Sequence, residues 1–252
     1  MRKIEEIKNK IFLEDAFQFL ENIPSNSVDL VLTDPPYNLD FSKYDNLDDG
    51  TGRRFHYTEK LKWNDYDLKE MSKDLFKEFD RILKESGSII IFGPQEWAYY
   101  YYEPAINNNF DLKCQIVWFK ENPIPQLRHK NYRSAHENII WFARYNKEKV
   151  PFTFNFINQQ EMKNVFTFLV LQGEERLDHP TQKPLKLIEK LIRIHSNEQD
   201  LILDCFLGSG TTAVACIKQN RNYIGCDNNK LYYNMALKRI NGLPNTKITQ
   251  FM

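Results

Sequence analysis

Six short runs that are almost wholly apolar constrain the fold of this 252-residue chain more than any other feature. They are VDLVLT (28–33), GSIIIFG (87–93), QIVWF (115–119), NIIWFA (138–143), LILDCF (201–206) and NYIGCD (222–227). A strand with one face in water alternates apolar and polar residues, whereas a continuous apolar strand needs cover on both faces. Amphipathic stretches that could supply that cover lie between the runs. In 67–85, Leu68, Met71, Leu75, Phe79, Ile82 and Leu83 recur at helical spacing, with Gly87 following as a stop. In 183–195, Pro184 suits a first helical turn, and Leu187, Ile188, Leu191 and Ile192 form one stripe. Residues 210–220 and 230–240 also read as helices. Strands alternating with helices predict a doubly wound, mostly parallel α/β sheet.

The length suits one such domain, read over residues 1–252, and 42% hydrophobic residues suffice for a sizeable core. No apolar run reaches the ~18 residues of a membrane span. The first ten residues, MRKIEEIKNK, lack the apolar centre of a secretory signal. The four cysteines, Cys114, Cys205, Cys216 and Cys226, form no C-x-x-C pair, so neither a zinc site nor a disulfide framework is expected. An intracellular chain with reduced thiols and no metal is the expectation. Basic and acidic residues balance at 34 each, which excludes a broadly polycationic coat for nucleic acid but leaves room for a local basic stripe.

Two stretches depart from the α/β alternation. Residues 38–66 are polar and turn-rich, too long for an ordinary connection, and are expected to form a mobile loop. Residues 144–182 lack clear periodicity and suit recognition.

The stretch LILDCFLGSGTTAVACIKQNRNYIGCDNN carries chemistry. A strand ends at Asp204, a turn holds Gly208 and Gly210, a helix opens at Thr211, and a second strand ends at Asp227. Glycines let a ligand approach the backbone, and a carboxylate at the end of the next strand can accept from two ribose hydroxyls. The third glycine of a dinucleotide fingerprint is missing, and no G-K-[ST] follows as in a P-loop. Two acids near the ligand disfavour a pyrophosphate and favour a cationic or neutral one.

The other informative stretch is LVLTDPPYNLD. Ligands of an open α/β sheet sit beyond the carboxyl ends of its strands, so Asp34 points to the same edge as Asp204 and Asp227. Pro35 and Pro36 stiffen the backbone and lack amide donors, leaving carbonyls as acceptors. Tyr37 offers a flat face. An acceptor pair beside a stacking platform suits a planar base carrying an exocyclic amino group, and such a base must leave its duplex to reach the pocket.

DPPY at 34–37 followed by DCFLGSGTT at 204–212 resembles the S-adenosylmethionine-dependent amino-methyltransferases of DNA, in the permuted order of their β group. FLEDAFQFLENIPSNSVDLVLTDPPY and HPTQKPLKLIEKLI are similar to two further segments of that family. The resemblance implies a circularly permuted, seven-stranded Rossmann-like sheet, with 144–178 as a small target-recognition insertion. It implies S-adenosyl-L-methionine as cofactor. Asp227 would bind its ribose and Asp15 its adenine amino group, Phe206 and Gly208 would line the methionine and ribose path, and Thr181, Gln182 and Lys183 would lie near its carboxylate. The implied cofactor set also takes in Ala16, Asp34, Asp204, Ser209, Gly210, Thr211, Thr212 and Asn228. Asp34, Pro35, Pro36 and Tyr37 would hold the target base. Asp15 also reads as the N-cap of a helix over AFQFLENI.

Asp at the first DPPY position leans towards adenine N6 in that family, and cytosine N4 is the nearest alternative. A catalytically silent DNA-binding subunit is a second alternative, opposed by the intact Asp34, Tyr37 and Asp227. The implied substrate is double-stranded DNA, and the family admits a homodimer and a cognate restriction endonuclease as partners. In 122–137, Arg128, His129, Lys130 and Arg133 surround Tyr132, a pattern that suits either a phosphate-tracking loop or a solvated basic one.

Overall fold

The structure is a computed structural model that describes residues 2–36, 67–123, 125, 129–145 and 151–243. Eight strands form one sheet among these residues. In chain order the elements are α1 (Ile4–Ile7), β1 (Lys10–Leu13), α2 (Ala16–Glu21), β2 (Val28–Thr33), α3 (Leu68–Ile82) and β3 (Leu83–Gly93). They continue with α4 (Glu103–Asn107), β4 (Phe110–Lys120), β5 (His136–Arg144), β6 (Val165–Phe168) and α5 (Leu185–His195). The chain then forms β7 (Leu201–Asp204), α6 (Thr211–Lys218), β8 (Asn222–Asp227) and α7 (Lys230–Asn241).

The sheet order is β1-β8-β7-β2-β3-β5-β4-β6. Neighbours are parallel except where β5 meets β3 and β4. Both faces are covered, as the apolar runs require. Val31, Ile89, Ile91 and Leu203 pack with Phe19 and Leu20 of α2 and Leu75, Phe76 and Phe79 of α3. Their sequence neighbours Leu30, Leu32, Ile90 and Ile202 pack on the other face with Leu187, Leu191 and Ile192 of α5 and Ala213 of α6. Successive strand residues point to opposite faces, so a strand sandwiched between helices is apolar at every position.

The doubly wound, mostly parallel sheet is as expected, but it has eight strands rather than seven. At one sheet edge β6 pairs parallel with β4. Its burial alternates exposed, buried, exposed, intermediate, so VFTF has no continuous apolar run to announce it. β1 is equally short and was not among the six runs. Pro184 precedes the helix rather than opening its first turn: it sits at the N-cap of α5 with ψ 133°.

The described part of the region expected as an insertion, 151–178, packs along the sheet. Phe154 stacks on Trp141 with ring centroids 5.0 Å apart, and the Asn155 amide nitrogen donates to the Ile194 carbonyl at 2.8 Å. The Trp118 indole donates to the Phe168 carbonyl at 3.0 Å, and the Val170 amide to Asn122 Oδ1 at 2.6 Å. The expected mobile loop, 38–66, lies outside the described residues. Among the described residues, no helix is long and apolar enough to cross a membrane.

Candidate active site

Parallel pairing aligns the carboxyl ends of β1, β8, β7, β2 and β3 along one edge. Two hydrogen bonds tie that edge together. The Thr33 hydroxyl, last residue of β2, donates to Asp204 Oδ1 at 2.9 Å. The Gly208 amide donates to Asp227 Oδ2 at 2.8 Å. Asp34 and Asp204 line one cavity with the 206–209 turn, Thr211 and Thr212. The three acids of the sequence analysis therefore meet at one edge.

The glycine turn owes its shape to two positions. Gly208 has φ 52°, and a Cβ there would stand 2.8 Å from His179 Nε2. Gly210 has φ 79° at the N-cap of α6, where a Cβ would stand 2.8 Å from the Ala236 Cβ. Any other residue would be strained in that backbone region and would collide besides.

Asp204 is 5% exposed and accepts from three groups of its own chain: Thr33, Thr212 Oγ1 at 2.7 Å and the Phe206 amide at 3.2 Å. Burial pushes its carboxyl up to about 6, although these donors pull the other way. Its observed work is to brace β2, the turn and α6. The hydroxyls of Ser209 and Thr211 are 3.2 Å apart, and Arg239 donates to Thr211 Oγ1 at 2.8 Å. Asp227 also accepts from the Asn229 amide at 2.8 Å, and burial raises its carboxyl above the ordinary value. Phe206 is half-buried beside the turn, and Asn228 is exposed.

Asp15 is the N-cap of α2 and accepts from the Phe17 and Gln18 amides at 2.9 and 3.4 Å. Ala16 is the buried first residue of that helix. Leu13, two residues before Asp15, is paired with Asp227, so the two acids close the same end of the edge.

The HPTQKP segment lies against the turn, with the His179 ring over Gly208. The Gln182 amide is taken up by its own loop, accepting from the Leu177 amide and donating to the Glu175 carbonyl, both at 2.8 Å. Thr181, Gln182 and Lys183 all line the cavity. Lys183, 7% exposed, is hydrogen-bonded to Asp34 Oδ2. Its second anionic partner is Glu137 at 3.3 Å, and Glu137 in turn pairs with Lys120 at 2.7 Å. Burial pushes the Lys183 ammonium down, but the carboxylates of Asp34 and Glu137 outweigh it and hold the group above its ordinary value.

Glu137, Lys120, His179 and Thr33 were missed by sequence reasoning. His179 packs against Tyr232 with ring centroids 4.4 Å apart, and burial, with Lys183 nearby, lowers it to about 4. The H of HPTQKP stood in the motif and could have been singled out. Glu137 carries no motif signal.

Pro35 is buried and Pro36 half-buried, while Tyr37 lies outside the described residues. So does Arg128. His129, Lys130 and Arg133 are exposed, with Arg133 donating to the Pro123 carbonyl and Tyr132 94% exposed between them. Among the described residues, no group of three or more His, Cys, Asp or Glu is placed to hold a metal ion.

An open α/β sheet with a glycine turn, a strand-end acid and Asp34-Pro35-Pro36 on one edge is the frame of an α/β enzyme, and comparison with known proteins sharpens it. The DNA methylase family matches residues 28–238, and the chain belongs to that family. It is 31% identical to the type II methyltransferase M.HinfI of Haemophilus influenzae, over 94% of this chain and 69% of that protein. It is 32% identical to M2.LlaDCHI of Lactococcus lactis subsp. cremoris, over 94% and 91% respectively. Among solved structures, the M1.HpyAVI–SAM complex matches with TM-score 0.70 and 29% identity, covering 92% of this chain and 98% of that one. The cytosine-N4-specific PvuII DNA methyltransferase shares the fold, with TM-score 0.70 at 19% identity over 94% and 87% of the two chains.

Proposed function

We propose that this DNA methyltransferase moves a methyl group from S-adenosyl-L-methionine to the N6 amino group of adenine in DNA. The observation that carries the reading is the placement of Asp34, first residue of DPPY, in the same cavity as the glycine turn.

The residues present suit that cofactor. The absence of a Cβ at Gly208 lets the turn pack beneath His179, and Asp227, fixed by the Gly208 amide, keeps lone pairs for ribose hydroxyls. Asp15, on the same edge, serves the cofactor's adenine as well as its helix cap. The acids match a donor that carries positive charge near the reacting centre. When bound, the cofactor supplies a methyl group on an electron-poor sulfonium. The chain's task is then to prepare the nucleophile. Asp34 and the Pro35 carbonyl accept the two amino hydrogens of the extruded base, drawing the nitrogen lone pair out of ring conjugation and aiming it along the edge. This is positioning and electrostatics, with no covalent intermediate on the protein. Tyr37 stacks on the base, a contact worth about 1–3 kcal/mol. The proton released from the amino group leaves through Asp34 or water.

Adenine is favoured over cytosine by the Asp at position 34. Region 144–178 and the exposed His129, Lys130 and Arg133 are the DNA-contacting surfaces of this reading. Incubation with methyl-labelled cofactor and mixed plasmid DNA, followed by nucleoside digestion, tests it. Label in N6-methyladenine is expected; label in N4-methylcytosine would transfer the same geometry to the other base, and an unlabelled digest would sink the enzyme reading.

A further inference from the structure

We propose that Glu137 is a positioning residue for methyl transfer, receiving the Lys183 ammonium when the target base displaces it from Asp34. The inference rests on the proposed role of Asp34 as acceptor for the amino group.

Oδ2 of Asp34 is already engaged by Lys183. An ammonium in that place competes directly with the amino hydrogens of a base. It also weakens the carboxylate as an acceptor, because its charge is already compensated. A base that donates to Oδ2 requires Lys183 to move away from that oxygen.

Lys183 cannot simply retreat to water. It is 7% exposed, its nitrogen stands 4.8 Å over the Phe92 ring, and its remaining near acceptor besides the two carboxylates is the Thr181 carbonyl at 3.4 Å. Stranding a buried ammonium without an anion is strongly unfavourable. Glu137 removes that obstacle. It lies 3.3 Å from the Lys183 nitrogen, so the flexible four-carbon stem can swing the ammonium off Asp34 and onto Glu137 without carrying it out of the buried site. Glu137 is itself held by Lys120, whose ammonium lies 2.7 Å from its other oxygen and 5.2 Å from the Trp118 ring centroid. Burial pushes the Glu137 carboxyl up, but Lys183 and Lys120 outweigh it and keep the group ionised. The chain Asp34–Lys183–Glu137–Lys120 alternates in charge, so a short displacement of its second member changes which carboxylate carries the compensated charge. Oδ2 of Asp34 is uncovered only while a base occupies the site.

The test combines Glu137→Gln, Lys183→Gln and the double variant. Methylation of plasmid DNA with labelled cofactor gives kcat and KM, and calorimetric titration gives cofactor affinity. In Glu137→Gln, Lys183 is left with Asp34 as its one anionic partner. A fall in kcat of tenfold or more is expected, with cofactor affinity within twofold of the parent, which also reports an intact fold. In the Lys183→Gln background, adding Glu137→Gln should cost nothing further. Parental kcat in Glu137→Gln, or an undiminished Glu137 effect in the Lys183→Gln background, overturns the inference. Should either variant fail to fold, the unaltered protein decides: crystallised with a methylation-site duplex and a non-reactive cofactor analogue, it should show Lys183 on Glu137 and off Asp34, and a base bound with Lys183 still on Asp34 refutes the idea. Activity in Asp34→Ala would instead remove the reading of the site on which this inference stands.

Discussion

The Gly208 amide donates to Asp227 Oδ2 at 2.8 Å, joining the tip of the glycine turn to the end of the next strand. One carboxylate thereby shapes the turn and faces the ribose side of the proposed cofactor site. Asp227→Ala removes both functions. Cofactor affinity should fall by tenfold or more, roughly the loss of one charge-assisted hydrogen bond of about 1.5–3 kcal/mol. Calorimetric titration with the cofactor checks it, and unchanged affinity would place the ribose elsewhere.

Asp34→Ala should abolish methyl transfer while cofactor binding persists, because the proposed reading gives Asp34 to the base and leaves the cofactor's ribose and adenine to Asp227 and Asp15 further along the edge. Labelled-cofactor transfer alongside calorimetry separates the two. Turnover near that of the parent would refute the role.

Gly210→Ala places a Cβ at φ 79° and 2.8 Å from Ala236 of α7. The left-handed backbone alone costs about 1–2 kcal/mol, and the collision adds to it. Thermal unfolding should show a clear drop in Tm, whereas Gly173→Ala, with nothing within 4 Å of its Cβ, should show less.

Asp204 gives a pH dependence whose sign is set by burial. Its carboxyl is raised to about 6 from a model-compound value of 3.8. The folded state thus binds its proton more tightly than the unfolded chain. The associated stability is fully present below 3.8 and is lost as pH rises through about 6. Asp204→Asn removes that titration. Its stability relative to the parent should therefore rise between pH 4 and 7, measured by urea unfolding; a flat difference would show that the carboxyl is not raised.

Phe76 is fully buried against Phe79, Tyr101, Phe110 and Phe142, with ring centroids 5.5 to 6.2 Å away. Phe76→Ala should destabilise the chain by about 3–5 kcal/mol through the cavity it leaves. Urea unfolding checks it.

By itself, the sequence determined the alternation of strands and helices, the covered sheet, and the two motifs at the ends of β2 and β7. These are local properties: the apolar period of a strand or helix, the backbone freedom of Gly208 and Gly210, and the stiffness of Pro35-Pro36 are written in neighbouring residues. Tertiary structure alone decided what those motifs touch. Asp204 is a brace because Thr33 and Thr212 converge on it from different elements. Lys183 reaches Asp34, 149 positions earlier in the chain. Glu137 joins the site because β5 runs antiparallel to β3 and β4, which brings the start of that strand to the edge where the parallel strands end. Strand direction is settled by pairing between distant segments, and no pattern within HENIIWFAR could disclose it.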